Sequence, residues 1–396
     1  MRALTFAARN LLRQPARAWL GVLGVAAVGA LLFDMLLLSN GLVISMERML
    51  ATTGFDIRAG IGVMVPGGGQ LIEDAVVLAD RLRALPEVAA ATPVRFADGL
   101  LARTPRPLGV RVMGAASRGR PAWTVMRGRD LTGAPGEALV NQRVLDVMKT
   151  RLGGTLDIRT FTQGTRTVAP AERLTIVGVA EFPFESERGA TIGLSLAGVD
   201  RVAGGTGTER AEQFLITTAG GVKPNAAKAA IERAAPGLTA LTNDQLLVRL
   251  QQGGLSYFRQ ISFVLTTVTV GFAFLLVTVL LTVSVNQRLG EIAGLRALGF
   301  SKRRAMADVV SEAVLIVGTG AVVALPLGLG LARILDWILK SIPGIPASLH
   351  FFVFQPRALV VHLVLFALTA VAAAAYPVRL VATLPIAATL RREVVS

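Results

Sequence analysis

Long uncharged runs alternate along the chain with mixed polar stretches. Four runs reach the ~20 residues a helix needs to cross a hydrocarbon core, and they occupy 18–45, 259–285, 309–335 and 358–376. The first is broken only by Asp34. The second carries no charge from Ile261 to Val285, and the third none from Ala313 to Ala332. The fourth holds His362 as its one ionisable group before Tyr376. All four are predicted transmembrane helices. Arg2, Arg9, Arg13 and Arg17 ahead of the first run imitate a signal peptide. A cleavable apolar core has only about 7–15 residues, so an uncleaved span is expected.

Between the first two spans, residues 46–258 take up shorter periods. Phe55–Val65, Val88–Phe96, Leu108–Gly114, Thr155–Phe161, Leu174–Phe182, Phe214–Thr218 and Leu238–Thr242 read as strands. Glu73–Leu85, Asn141–Leu152 and Asn225–Ala234 read as helices, the first ended by Pro86. β-α-β units at both ends of a strand-rich middle predict two subdomains, one built from the ends and one inserted between them. Gly67-Gly68-Gly69 and Gly204-Gly205 are turn or loop positions. The predicted fold class is therefore a membrane protein of four transmembrane α-helices, with a large α+β extracytoplasmic domain of two subdomains between helices 1 and 2.

Composition agrees: 53% of residues are hydrophobic, 17% charged, and the mean hydropathy is +0.58, against about a quarter charged in soluble domains. A formal net charge of +15 would suggest nucleic acid in a soluble protein. Here its placement points to the membrane instead, and no nucleic-acid partner is expected. Basic residues gather in the N-terminal arm, in the loop after span two (Arg288, Arg296, Lys302, Arg303, Arg304) and in the tail (Arg379, Arg391, Arg392). The loop 336–357 has only Lys340 and Arg357. The positive-inside rule then makes both termini cytoplasmic. The resulting plan is a cytoplasmic amphipathic helix 1–17, span 18–45, extracytoplasmic core domain 46–258, span 259–285, cytoplasmic coupling loop 286–308, span 309–335, short extracytoplasmic loop 336–357, span 358–376 and cytoplasmic tail 377–396. Trp19, Tyr257, Trp337 and Tyr376 fall at span edges, where interfacial aromatics belong.

Catalytic signatures are missing. There is no G-x-x-x-x-G-K-[ST], H-E-x-x-H or G-x-S-x-G, and no cysteine. No catalytic, cofactor or metal residues are therefore assigned, and the chain is expected to be non-catalytic. Glu181, Glu185 and Glu187 follow a strand beside Pro183 and Arg188, where loop carboxylates are ordinarily just solvated. Asp34 is the intramembrane polar candidate, since acids at that depth are functional candidates by default; the alternative is a structural acid near the outer interface of a long helix, paired or wetted in a cavity. Glu312, near Asp308 and the basic loop, reads as an interfacial charge pair, and His362 as a packed polar residue. Gly320, Ala324 and Gly328 recur at four-residue spacing and permit close helix packing within the subunit, while Pro326 loosens the backbone beside them. The first span exceeds the hydrocarbon thickness and is expected to run on through Met46–Leu50. A second stalk, Asn243–Gln252, would enter span two across Gly253-Gly254.

Within Asn286–Arg304, Leu289, Ile292, Leu295 and Leu298 recur every three residues, the spacing of a helical stripe. Gly290 and Gly294 weaken that helix by about 1 kcal/mol each relative to Ala, so a docking surface is expected to hold it.

Four stretches, in this order and topology, carry a family resemblance. They are Ala8-Arg9-Asn10-Leu11-Leu12-Arg13 with Arg17; Gly136–Val140, Leu152–Leu156 and Leu174–Val179 in the external domain; Glu291-Ile292-Ala293-Gly294-Leu295-Arg296-Ala297-Leu298-Gly299 in the loop; and Tyr376-Pro377-Val378-Arg379 through Leu384-Pro385 to Leu390-Arg391. The chain resembles the MacB-type (type VII) ABC transporter permeases, with a periplasmic core domain and an FtsX-like permease module. Phe300 departs from the commoner Ala there. The resemblance implies ABC ATPase subunits as partners, binding ATP and Mg while this chain binds no cofactor. It also implies a second permease chain, identical or different, in a bacterial cytoplasmic (inner) membrane. With seventeen residues ahead of span one, the ATPase is expected on another polypeptide. The loop residues Glu291, Ile292, Leu295, Arg296, Ala297, Leu298 and Gly299 are the candidates for coupling to it. The implied activity is mechanotransmission, driving extrusion or extraction of a lipoprotein, lipid, peptide or hydrophobic drug, with a periplasmic adaptor left open. The alternative is an FtsX-like signalling permease that activates a cell-wall hydrolase. FtsX-type external domains are much smaller than 46–258, which favours transport, whether efflux or lipoprotein release.

Overall fold

The computed structural model describes residues 15–62, 69–101, 108–116, 119–161, 169–186, 188–252, 254–287, 289–299, 301–342, 345–346 and 348–383. The expected helix over 1–14, Gly67 and Gly68, Glu187, Arg288, Gly253, Phe300 and the tail from 384 lie outside the described residues, as do certain helix side chains, among them Glu291, Ile292, Leu295 and Arg296. The chain forms two compact units. One contains residues up to Leu42, Gly254–Trp337 and Phe351 onward; the other contains Val43–Gly253 and Ile338–His350.

Among the described residues, four helices are long and apolar enough to cross a membrane, each lying wholly or mostly in the membrane unit: Ala18–Thr52, Gln260–Asn286, Val310–Lys340 and Pro356–Leu380. They belong to α1 (Pro15–Thr52), α7 (Gly254–Asn286), α9 (Lys302–Lys340) and α10 (Pro356–Ala382), with the short α8 (Leu289–Ala297) between α7 and α9. The small-residue stripe of α9 packs on α1, within the subunit. A Cβ added at Gly320 would stand 2.5 Å from Val25 Cγ1, one at Gly29 2.7 Å from Ala324 Cβ, and one at Gly328 3.1 Å from Phe33 Cδ1. These glycines are what let the two helix backbones approach. On α7, Phe263, Phe272, Leu275 and Val279 are exposed, the apolar surface a helix presents to lipid. Trp19, Tyr257, Trp337 and Tyr376 are exposed as well.

Among the described residues, the external unit holds a ten-stranded sheet. Its strands are β1 (Ile57–Gly60), β2 (Val88–Leu101), β3 (Leu108–Ala115), β4 (Thr124–Gly128), β5 (Glu137–Val140), β6 (Thr155–Thr160), β7 (Glu172–Glu181), β8 (Ala190–Ser195), β9 (Gln213–Thr218) and β10 (Thr239–Thr242). The order is β10-β1-β9-β2-β3-β8-β5-β7-β4, and β6 bridges β2 and β7. Strands β2, β3, β8, β5, β7 and β6 therefore close on themselves, which leaves them no free edges to protect. Alternate residues of that ring, such as Val110, Val112, Val140, Ile158, Ile176 and Ile192, form one core with Val144 of α3 (Gln142–Met148) and Val199 of α4 (Leu196–Val202). A second core joins β1, β9 and β10 to α2 (Ala75–Arg83) and α5 (Pro224–Ala234) through Ile57, Ala79, Leu82, Phe214, Ile216 and Ile231. These are the two expected subdomains, ends and insert. The fourteen-residue β2 serves both, pairing with β9 from Val88 to Val94 and with β3 from Val94 to Leu101.

Asp200 of α4 ties the two cores together. It is fully buried and accepts hydrogen bonds from Arg95 Nη1 at 2.7 Å, the Gly207 and Thr208 amides at 2.9 and 3.0 Å, Thr208 Oγ1 at 3.0 Å and the Arg210 guanidinium. Arg210 also faces Glu73, just ahead of α2, at 3.6 Å. Burial alone would push the Asp200 carboxyl up, but the bonds from Arg95, Arg210, Thr208 and Gly207 outweigh it and hold it well below the usual carboxylate range. A depressed folded-state pKa stabilises fully above the unfolded value near 3.9 and is lost as pH falls through the lower folded value. Asp200→Asn leaves Arg95 buried without its counter-charge, an effect of about 3–5 kcal/mol. Thermal unfolding of the full chain should show a lowered midpoint for the variant at pH 7. The gap to wild type should narrow as the pH is taken below about 4.

Candidate functional site

Helix α8 follows α7 after a break at Gln287, whose amide still bonds the Val283 carbonyl at 3.1 Å. The helix spans nine residues. The Leu298 amide reaches back to the Gly294 carbonyl at 3.0 Å, and Gly299 then turns the chain with φ of 93°. Only a residue without Cβ adopts that conformation readily, so Gly299 ends the helix in the usual C′ manner. Ala293 is fully buried, and Leu289 packs with Val285, Met306 and Leu380. Ala297 and Gly299 are exposed, and Leu298 is 79% exposed.

The three-residue stripe read from the sequence is therefore not one face. Each step of three turns a helix about 300°, so the row drifts about 60° backward per step. Leu289 and Leu298, nine residues apart, point to opposite sides. The inward face is Leu289 and Ala293, and the outward end is Ala297–Gly299. Glu291, Ile292, Leu295 and Arg296 are placed by the backbone in the middle of α8, and their side chains lie outside the described residues.

Asp34 lies within α1, fully buried, and neither of its carboxyl oxygens has a hydrogen-bond partner among the described residues. Glu312 is buried too and accepts a 2.7 Å bond from Ser284 Oγ of α7. His362 is fully buried between Phe33 and Phe366, its ring centroid 5.3 and 4.8 Å from theirs.

In the external unit, the turn Phe182–Glu185 separates two clefts. One of about 830 Å³ is lined by Met49, Phe55, Arg120, Trp123 and Phe184; the other, of about 950 Å³, by Met126, Arg127, Asn141, Asp146 and Glu185. Phe184 adopts a left-handed backbone, φ 62°, a conformation disfavoured for a side chain of that size. The Arg58 guanidinium stacks 5.0 Å from its ring. Burial lowers the Arg58 pKa to about 10. Burial also raises the Glu185 carboxyl, a rise opposed by bonds from Asn141 Nδ2 and the Phe182 amide and reinforced by Glu181. Glu185 thus shapes the turn, while the Glu181 side chain is exposed. No group of three or more His, Asp or Glu placed to hold a metal occurs among the described residues. Asp200, the most heavily bonded carboxylate among the described residues, has Gly207, Thr208 and Arg210 close by in the sequence, but its buried partner Arg95 is 105 residues away along the chain, where no spacing points to it.

The model of the MacB-like periplasmic core domain matches residues 18–234, more than half of the chain. The chain belongs to the MacB/FtsX-like permease family. In keeping with that family, the FtsX-like permease C-terminal model matches residues 263–386, a stretch that includes α8. Among solved structures, the permease is similar to the periplasmic region of MacB from Actinobacillus actinomycetemcomitans, with 10% identity over 52% of this chain and 98% of that one, TM-score 0.36. It is also similar to the extracellular domain of the noncanonic ABC-type transporter YknZ from Gram-positive bacteria, with 11% identity over 47% and 99%, TM-score 0.33. No curated protein matches it.

The permease has no cysteine, so single thiols report accessibility directly. Leu298→Cys should react with a water-soluble maleimide at the rate of a free surface thiol, and Ala293→Cys at least about a hundredfold more slowly, as burial behind a local opening of about 2.7 kcal/mol requires. Equal rates would place α8 off the helices it packs on.

Proposed function

We propose that this permease is the membrane subunit of an ABC transporter working by mechanotransmission. A separate ATPase binds ATP and Mg, docks on α8, and its closure is carried by the membrane helices to the external domain. The external domain then extrudes or extracts a lipoprotein, lipid, peptide or hydrophobic drug at the outer face. Two permease chains and two ATPases form the complex in the bacterial inner membrane, with both termini cytoplasmic and the chain itself non-catalytic. The observation that carries the reading is the length of α1. Its 38 residues extend roughly 57 Å at 1.5 Å per residue, well beyond the ~30 Å hydrocarbon core. From Val43 onward they belong to the external unit. A continuous helix is stiff enough to transmit displacement between the two units. On the return path, α6 (Asn243–Gln252) precedes α7 with only Gly253 between them.

Docking on α8 places Glu291, Ile292, Leu295, Arg296, Ala297, Leu298 and Gly299 against the ATPase. Gly294, Gly299 and the exposed Leu298 leave open space there. Glu291→Lys or Leu295→Asp should reduce ATPase co-purification and permease-stimulated hydrolysis at least about tenfold, the factor given by about 1.4 kcal/mol of docking energy. Unchanged co-purification and hydrolysis, with the variants still inserted, would contradict the assignment.

A further inference from the structure

Asp34 and His362 are the only ionisable side chains within 18–45, 261–285, 313–332 and 358–375. Both are fully buried. Among the described residues, neither carboxyl oxygen of Asp34 and neither ring nitrogen of His362 has a hydrogen-bond partner. Phe33 links the two. The His362 ring stands edge-on to Phe33, the residue before Asp34. Phe33 and Leu37, on either side of Asp34 along α1, pack with Ala332 of α9 and with Ala358 of α10, one turn before His362.

No other group among the described residues of the bundle neutralises Asp34. Helix α7 contributes no charge between Ile261 and Val285. On α9, Glu312 is bonded to Ser284, Arg333 is exposed, and Asp336 accepts from the Phe351 amide. On α10, Arg357 and Arg379 are exposed. A lone carboxylate is strongly disfavoured in such surroundings, where buried acids become neutral instead. The neutral acid still lacks an acceptor for its O–H, so the site is unsatisfied in this arrangement and poised for exchange.

We propose that Asp34 is a proton-binding site of the membrane bundle. Its carboxyl is protonated here. When α1 shifts against α9 and α10, the O–H bond breaks and the proton passes to a His362 ring nitrogen or to entering water, leaving the carboxylate on Asp34. The ligand is a proton alone, and the inference stands whether or not the ATPase docks on α8.

Infrared difference spectroscopy of the full chain in lipid nanodiscs tests it. Wild type minus Asp34→Asn at neutral pH should contain a protonated-carboxyl band that shifts in D2O, and Glu312→Gln should retain that band. As the pH is raised the band should titrate away, and His362→Gln should move the midpoint by about one pH unit or more. A difference spectrum with only carboxylate bands at neutral pH would overturn proton occupancy. Loss of the band on adding sodium at fixed pH would make a metal cation the ligand instead, and an unmoved midpoint in His362→Gln would remove His362 from the site. If Asp34→Asn fails to insert, persistence of the wild-type band in Glu312→Gln at pH 7 carries the test, and its absence there sinks the proposal.

Discussion

Backbone amides and carbonyls find no water in hydrocarbon, so a segment crossing it must satisfy them internally as a helix. That requirement ends at the membrane surface, but α1 does not. It continues as helix from Pro15 to Thr52, and its later residues Ser45, Met49 and Leu50 are buried within the external unit. Ser45 accepts a bond from the His350 amide of the same unit at 2.6 Å. The helix that solves the solvation problem in lipid thus also becomes a structural member of the domain outside it. The mechanical reading of the permease depends on that continuity.

The proposed transmission also needs a domain that moves as a body. Strand β2 serves both cores, and Asp200 gathers Arg95, Arg210 and the 207–208 loop around one buried charge. Buried ion pairs add little net stability over well-packed apolar groups, but removing one partner is costly. Their effect is to make separation of the two subdomains expensive. Near the Phe182–Glu185 turn the domain is less regular, with a left-handed Phe184 and two open clefts.

The spans are legible in the sequence because a helix of some twenty uncharged residues is better solvated by lipid than by water. Their ends are less so: Glu47 and Arg48 end an apolar run without ending a helix. In the external domain, β2 reads as stopping at Phe96 because Asp98-Gly99 resembles a turn. Gly99 is instead a strand residue on which a Cβ would stand 2.8 Å from the Arg159 carbonyl of β6. Strand β8 is hidden in the same way by Gly193, which makes room for the Phe182 ring. Strand β4 is almost wholly exposed and has no alternation to read. Helix α8 is visible in its apolar spacing, but its inward face is not, because a period of three and a period of 3.6 diverge over nine residues. Asp34 stands out from the sequence, whereas its lack of a hydrogen-bond partner among the described residues emerges only from the packing of the helices.

If the permease works mechanically, nucleotide-driven motion at α8 must reach the external domain through continuous helices. Spin labels on cysteines introduced at Leu298, beyond α8, and at Val77, exposed on α2, measure this within one chain. With the partner ATPase bound in lipid, mechanotransmission predicts that the distance distribution between the two labels shifts on adding ATP and returns on hydrolysis. A distribution unchanged by ATP, in a complex that hydrolyses it normally, would contradict it.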